Sequence, residues 1–175
     1  ESAAAVGDAC ETVLLSVRDS DAVCKAVEGP EGLLSGTPAV RYLIDTTTGD
    51  PDRTIALAQR LAERGIAYLD ATISGSSEQI RQRMGVFLVG GREEHYRACR
   101  TVIAELSREH YYLGPPGSGA KTKLASNLIL GLNRLALAEG LVFAERLGLE
   151  LSSFMEVLRN TPAYSAAIEV KGEKM

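Results

Sequence analysis

Tryptophan is absent from the chain, and its 175 residues hold only three phenylalanines and six tyrosines. A surface that stacks nucleobases needs more rings than that. The net charge of -4 provides no general attraction to nucleic acid or to an anionic membrane. Cysteine is scarce. Cys10, Cys24 and Cys99 lie far apart, form no C-x-x-C pair, and are odd in number, so no simple disulfide framework fits them. They read as reduced, buried thiols of a cytoplasmic protein. His95 and His110 stand at no metal-ligand spacing from a cysteine, and no metal site is expected. No charged-then-apolar leader opens the chain, and no run approaches the ~20 apolar residues of a membrane span. What remains is 45% hydrophobic and 24% charged, the balance of a globular protein with a sizeable core.

Short apolar runs alternate with helical patterns over the first two thirds of the chain. TVLLSV (Thr12 to Val17), VRYLID (Val40 to Asp45), GIAYLDATI, MGVFLVGG and HYYLG read as five strands. Between them, Asp19 to Val27 and Glu93 to Leu106 carry helical spacing, and Pro51 suits the first position of a helix that ends at Gly65. SGSSEQIRQR reads as an exposed loop or irregular helix. This alternation predicts an α/β layer with a largely parallel sheet. After Gly114 the pattern changes. Ala120 to Leu147 contains no proline, and apolar residues recur around the whole circumference, which predicts one long buried helix in a bundle or a dimer interface. Gly148 ends it, and Ser152 or Ser153 caps a following helix that Pro162 terminates. The boundary near Gly114 divides residues 1–114 from 115–175. The opening at Glu1 without methionine and the uncapped close in EVKGEKM look like the ends of a fragment.

GPPGSGAKTKLASN, Gly114 to Asn127, joins the two parts. Lys123 and Asn127 are one turn apart and share a helix face flanked by Leu124 and Leu128. An ammonium and a carboxamide on an apolar face are costly unless partnered. Two readings satisfy this: Lys123 reaches solvent while Asn127 bonds a backbone, or the pair does proton-transfer work. Lys121 lies on another face and reads as solvated.

G-S-G-A-K-T-K-L-A-S-N resembles the G-x-G-x-x-x-K-x-x-x-N signature of the β-hydroxyacid dehydrogenases. LIDTTTGDP resembles that family's I-D-x-S-T-x-x-P turn, YLDATISGS its D-A-P-V-S-G-G substrate loop, and LALAEGLVFAERLGLE its A-E-A-x-x-x-A-x-x-x-G-L-D continuation. MGVFLVGG is similar to its following strand, and the motifs run in order, nearly end to end.

The resemblance implies the C-terminal part of a Rossmann-type sheet, followed by a long helix and the start of an all-helical domain. It implies an oxidoreductase using NAD or NADP on a small carboxylate substrate, a β-hydroxyacid or its aldehyde-acid, in a homodimer or higher oligomer. Imine reductases of the same superfamily and a non-catalytic relative are the alternatives, and Lys123 favours the hydroxyacid branch. In family terms Lys123 is the general acid/base and Asn127 binds the substrate oxygen. Ser74, Gly75 and Ser76 match the substrate loop, though Ser76 stands where the family has a second glycine. Leu15, Ser16, Thr47 and Thr48 correspond to cofactor-binding positions. Gly117 and Gly119 let backbone approach the site, where the new helix's N-terminal dipole would suit an anionic substrate. No G-x-G-x-x-G turn, the family's pyrophosphate site, occurs in the 175 residues.

Overall fold

A computed structural model describes residues 2–172. Five strands form one sheet in the order β1-β2-β3-β4-β5: Thr12–Leu15, Tyr42–Asp45, Ala67–Ser74, Val86–Gly91 and Glu109–Tyr112. Neighbouring pairs are parallel except β3 with β4, which are antiparallel, with Ser74 opposite Val86 and Leu69 opposite Gly91. The parallel expectation fails there for a reason of length. Residues 75–85 are too few to carry a parallel crossover, which takes about a dozen residues or more. They instead form a tight return holding the short helix α4, Ser77–Arg81.

The remaining helices are α1 (Ala3–Ala9), α2 (Ser20–Glu28), α3 (Pro51–Glu63), α5 (Glu93–Leu106), α6 (Ser118–Arg146), α7 (Leu151–Arg159) and α8 (Ala166–Lys171). Helix α1 has no counterpart in the sequence reading, because AAAVGDA carries almost no apolar periodicity. Pro51 takes the first position of α3, and the Asp50 carboxylate before it accepts from the Asp52 and Arg53 N–H groups.

Contacts divide the chain into two compact units, Glu1–Lys123 and Leu124–Met175. The first unit buries both faces of its sheet. One face packs Val13, Leu15, Leu43 and Tyr68 against Val23 and Val27 of α2 and Leu57 and Leu61 of α3. The other packs Ile44, Leu69, Ala71, Phe87 and Val89 against Cys99 and Ile103 of α5. Burial pushes the Cys99 thiol up to about 11, so it stays an inert SH group. Cys10, expected inside, is exposed, since it follows α1 at the surface. In the second unit, Leu137 and Leu141 of α6 pack with Met155, Ala167 and Ile168. The cap of α7 is Glu150 rather than a serine: its carboxylate accepts from the Ser152 and Ser153 N–H groups.

Helix α6 departs from the buried helix its composition suggests. Leu128, Ile129, Leu132, Leu135 and Phe143 are all more than half exposed. The chain supplies too few elements to cover an apolar circumference. By length and composition α6 is also apolar enough to cross a membrane, against expectation. Asn127, Asn133, Arg134 and Glu139 break every unbroken run yet leave the average apolar.

Candidate functional site

The carboxyl ends of β1, β2 and β3 lie at one end of the sheet, because the three strands are parallel. Open α/β sheets bind ligands at that end. Leu15 is buried at the end of β1, while Ser16 after it is exposed. Two buried threonines tie β1 to the turn after β2. Thr46 Oγ1 donates to the Leu15 carbonyl at 3.0 Å, and Thr47 Oγ1 accepts from the Val17 N–H at 3.2 Å. Thr47 thus faces inward and Thr48 outward. Beneath the turn, the Asp45 carboxylate accepts from the Thr47 N–H at 2.9 Å and from the Tyr68 hydroxyl at 2.8 Å. Asp45 is 4% exposed, and burial pushes its pKa up against these hydrogen bonds.

Ser74, Gly75 and Ser76 follow at the end of β3. Ser74 is half-buried, and Gly75 and Ser76 are exposed. The Ser76 side chain is committed. Its hydroxyl accepts from the Gln79 N–H at 3.2 Å, and its N–H donates to Gln79 Oε1 at 2.8 Å. This capping box gives the departure from the family's second glycine a local cause: the added side chain starts α4.

The beginning of α6 lies on the face of β3 and β4 that also carries Tyr68. Asp70, 2% exposed, sends its carboxylate to the helix start, accepting from the Gly117 N–H at 3.0 Å and the Ala120 N–H at 2.9 Å. Thr72 Oγ1 donates to the Gly119 carbonyl at 3.1 Å. Burial raises the Asp70 pKa, opposed by the N–H groups of Ala120, Gly117 and Gly119. Gly117 has φ +89, and a Cβ there would lie 2.8 Å from Ile55. A Cβ on Gly119 would lie 2.3 Å from the Leu88 carbonyl oxygen. Both glycines therefore admit this chain's own backbone and side chains. The Asp70 carboxylate is the anion that meets the N–H groups at this helix start.

Lys123, three residues beyond Ala120, is partly buried, and desolvation lowers its pKa. Asn127 follows one turn later on α6, exposed, as part of the second unit. The structure therefore groups Leu15, Ser16, Thr47 and Thr48 at one pair of strand ends, and joins Gly117 and Gly119 to Asp70 and Thr72. Asp45 and Asp70 were missed in the sequence reading, where both looked like parts of apolar strands. A signal existed: a carboxylate inside a buried strand must find donors. A glycine-rich helix start offers bare N–H groups.

Known proteins are similar to this chain along nearly its whole length. Residues 1–114 match the NAD binding domain of 6-phosphogluconate dehydrogenase, and residues 117–175 the NAD-binding region of NADP-dependent 3-hydroxyisobutyrate dehydrogenase. The chain belongs to the β-hydroxyacid dehydrogenase family, whose cofactor is NAD or NADP. It is 30% identical over 169 residues to 2-(hydroxymethyl)glutarate dehydrogenase of Eubacterium barkeri, covering 97% of this chain and 56% of that protein. It is 29% identical over 168 residues to the human cytokine-like nuclear factor N-PAC, covering 96% of this chain and 30% of that protein. The fold is that of Mycobacterium tuberculosis 3-hydroxyisobutyrate dehydrogenase, solved with L-serine. The TM-score is 0.84 at 24% identity, over 95% of this chain and 56% of that one. The chain thus spans about half, or less, of the curated relatives it matches.

Proposed function

We propose that this chain belongs to an NAD(P)-dependent oxidoreductase that transfers hydride between nicotinamide and a small β-hydroxyacid or its aldehyde-acid. The observation that carries the reading is Lys123. Its ammonium stands in the first turns of α6, and burial shifts its pKa downward, the direction an acid/base lysine needs. Exposed hydroxyls at the strand ends, Ser16 and Thr48, fit the polar groups of a nicotinamide nucleotide, while Thr46 and Thr47 hold the turn beneath them. The bound cofactor would supply or accept the hydride. In oxidation, neutral Lys123 Nζ takes the hydroxyl proton as the carbinol carbon gives up its hydride; in reduction, the ammonium returns that proton to the carbonyl oxygen. Asn127 donates to the same oxygen, and the Ser74 hydroxyl with the Gly75 N–H holds the substrate carboxylate, while Ser76 beside them gives its N–H to Gln79. No metal enters the scheme. The test is Lys123→Ala in the complete protein against a panel of 3-hydroxyacids, with cofactor affinity measured in parallel. Loss of turnover with affinity retained supports the scheme, and full turnover refutes it.

A second copy of the chain covers α6 in this reading, since Leu128, Leu132, Leu135 and Phe143 are exposed together. Sedimentation should therefore show a dimer or larger, and a monomer at all concentrations would count against it. We place the protein in the cytoplasm, where exposed Cys10 stays reduced.

One observation favours a second reading, a non-catalytic relative. The Ser76–Gln79 capping box occupies hydroxyl and N–H groups that a carboxylate would need. Similarity to a protein named as a nuclear factor points the same way. Cofactor binding without turnover on any hydroxyacid or imine would favour it.

A further inference from the structure

The helices whose N-termini carry a side-chain cap take it from the residue just before them: Ser2 for α1, Asp19 for α2, Asp50 for α3, Ser76 for α4 and Glu150 for α7. Such a cap stabilises a helix end and travels with it. Helix α6 differs. The residue before it is Gly117, and the carboxylate that bonds its N–H groups arrives from β3, 47 to 50 positions back in the chain. That cap ties the helix to the sheet.

We propose that Asp70 is a positioning residue: its carboxylate fixes the origin of α6 on the sheet and thereby the placement of Lys123. The inference rests on the reading of Lys123 as the proton-transfer group. The two carboxylate oxygens take separate donors, Oδ1 the Gly117 N–H and Oδ2 the Ala120 N–H. A single bond would let the helix swivel about it. The two donors are three positions apart and so face the same carboxylate from one side of the helix start; two bonds to them oppose swivelling about either bond and sliding along the axis. Thr72 adds a third tie through the Gly119 carbonyl. The seat is close-fitting. A Cβ on Gly90 would lie 2.4 Å from Asp70 Oδ1 and 2.9 Å from the Ser118 and Gly119 nitrogens, and one on Gly119 would meet the Leu88 and Asp70 carbonyl oxygens. Helix backbone therefore packs closely on strand backbone, and the Asp70 and Thr72 side chains bond across the seam. Lys123 leaves the helix three residues after Ala120, about 4.5 Å along the axis at about 1.5 Å per residue. Over so short a lever, an error at the origin reaches the ammonium almost undiminished. A displacement of about 1 Å in a reacting group costs on the order of a hundredfold in rate.

The test compares Asp70→Asn in wild-type and Lys123→Ala backgrounds of the complete protein. Asparagine keeps the shape, but its NH2 faces one of the two backbone donors, so one bond is lost. The expected result is a fall in kcat of roughly ten- to a hundredfold with little change in cofactor KM. In the Lys123→Ala background the same substitution should cost nothing further. Hydrogen exchange across residues 114–123 should accelerate in Asp70→Asn. Thr72→Val, which removes only the Gly119 tie, should give a smaller fall in kcat and serves if Asp70→Asn does not fold. Losses that multiply in the double variant would overturn the proposal, as would unchanged exchange at the helix start. Full turnover in Lys123→Ala would sink the acid/base reading and the positioning role with it; the exchange data would still show whether Asp70 holds α6.

Discussion

Three glycines of α6 answer the same substitution in opposite ways. In a helix interior, Gly→Ala stabilises by about 1 kcal/mol, because alanine loses less backbone freedom on folding. At Gly131 and Gly140 a new Cβ meets nothing within 4 Å, so each change should give about that gain. At Gly119 the same Cβ would lie 2.3 Å from the Leu88 carbonyl oxygen, 2.6 Å from the Asp70 carbonyl oxygen and 2.9 Å from Asp70 Oδ2. Two of those atoms are backbone and cannot swing aside. Overpacking of this kind costs about 1–3 kcal/mol, and the rigid neighbours place Gly119 at the upper end. Subtracting the helix gain leaves a net loss of about 2 kcal/mol. At about 2–4 °C per kcal/mol for a chain of this size, Gly119→Ala should lower Tm by about 4–8 °C, and Gly131→Ala should raise it by about 2–4 °C. Thermal and urea unfolding followed by far-UV circular dichroism reads both. An equal gain at all three positions would refute the close seating of α6 on β3 and β4.

Other expectations concern the buried carboxylates and one cap. Tyr68→Phe removes the 2.8 Å bond to Asp45 and leaves a buried carboxylate oxygen short of a donor; urea titration at pH 7 should show a loss of about 1–3 kcal/mol. Burial raises the pKa of Asp45 and Asp70 above 3.8, so at pH values just above that the folded state holds protons that the unfolded state has released. Their contribution to stability is therefore complete at acid pH and is lost as pH rises from 3.8 through the raised values. Asp45→Asn should flatten that slope, and an unchanged slope would contradict the burial argument. Glu150 behaves oppositely. Hydrogen bonds from Ser152 and Ser153 lower it from 4.5 to about 2, so its cap on α7 is intact above pH 4.5 and is lost as pH falls toward 2. Amide shifts of Ser152 and Ser153 should titrate with a midpoint near pH 2 in the native chain and stay still in Glu150→Gln.

Much of the fold was legible because it depends on neighbours in sequence. Proline at position 51 set the start of α3, and the apolar spacing of Glu93 to Leu106 matched α5 at both ends. Five strands emerged from five apolar runs, and the motif order pointed to the family that the comparisons show. What escaped depends on distance or competition. Asp70 caps a helix some 50 positions away, and no local window contains both partners. The antiparallel β4 follows from the brevity of residues 75–85, a length visible in the sequence but overridden by the α/β pattern. At α7, serine was the conventional cap, yet the Glu150 carboxylate, two positions before Ser152, accepts from the Ser152 and Ser153 N–H groups and starts the helix earlier. Resemblance alone placed Thr47 near the cofactor, and no local pattern shows that its Oγ1 accepts from the Val17 N–H 30 positions away. The composition of α6 spoke of burial without saying by what.

The seam between α6 and the sheet also bears on engineering. It holds no side chain at Gly90, Gly117 or Gly119 that could be trimmed or enlarged to retune the site. Mutational libraries aimed at a new substrate would spend their diversity badly there. The segment 75–85 is the opposite material. It is surface-exposed over most of its length, joined to the sheet at both ends, and started by a serine–glutamine pair that can be exchanged without touching the core. Natural divergence in this lineage should therefore be concentrated in that return loop and be nearly silent at the three glycines.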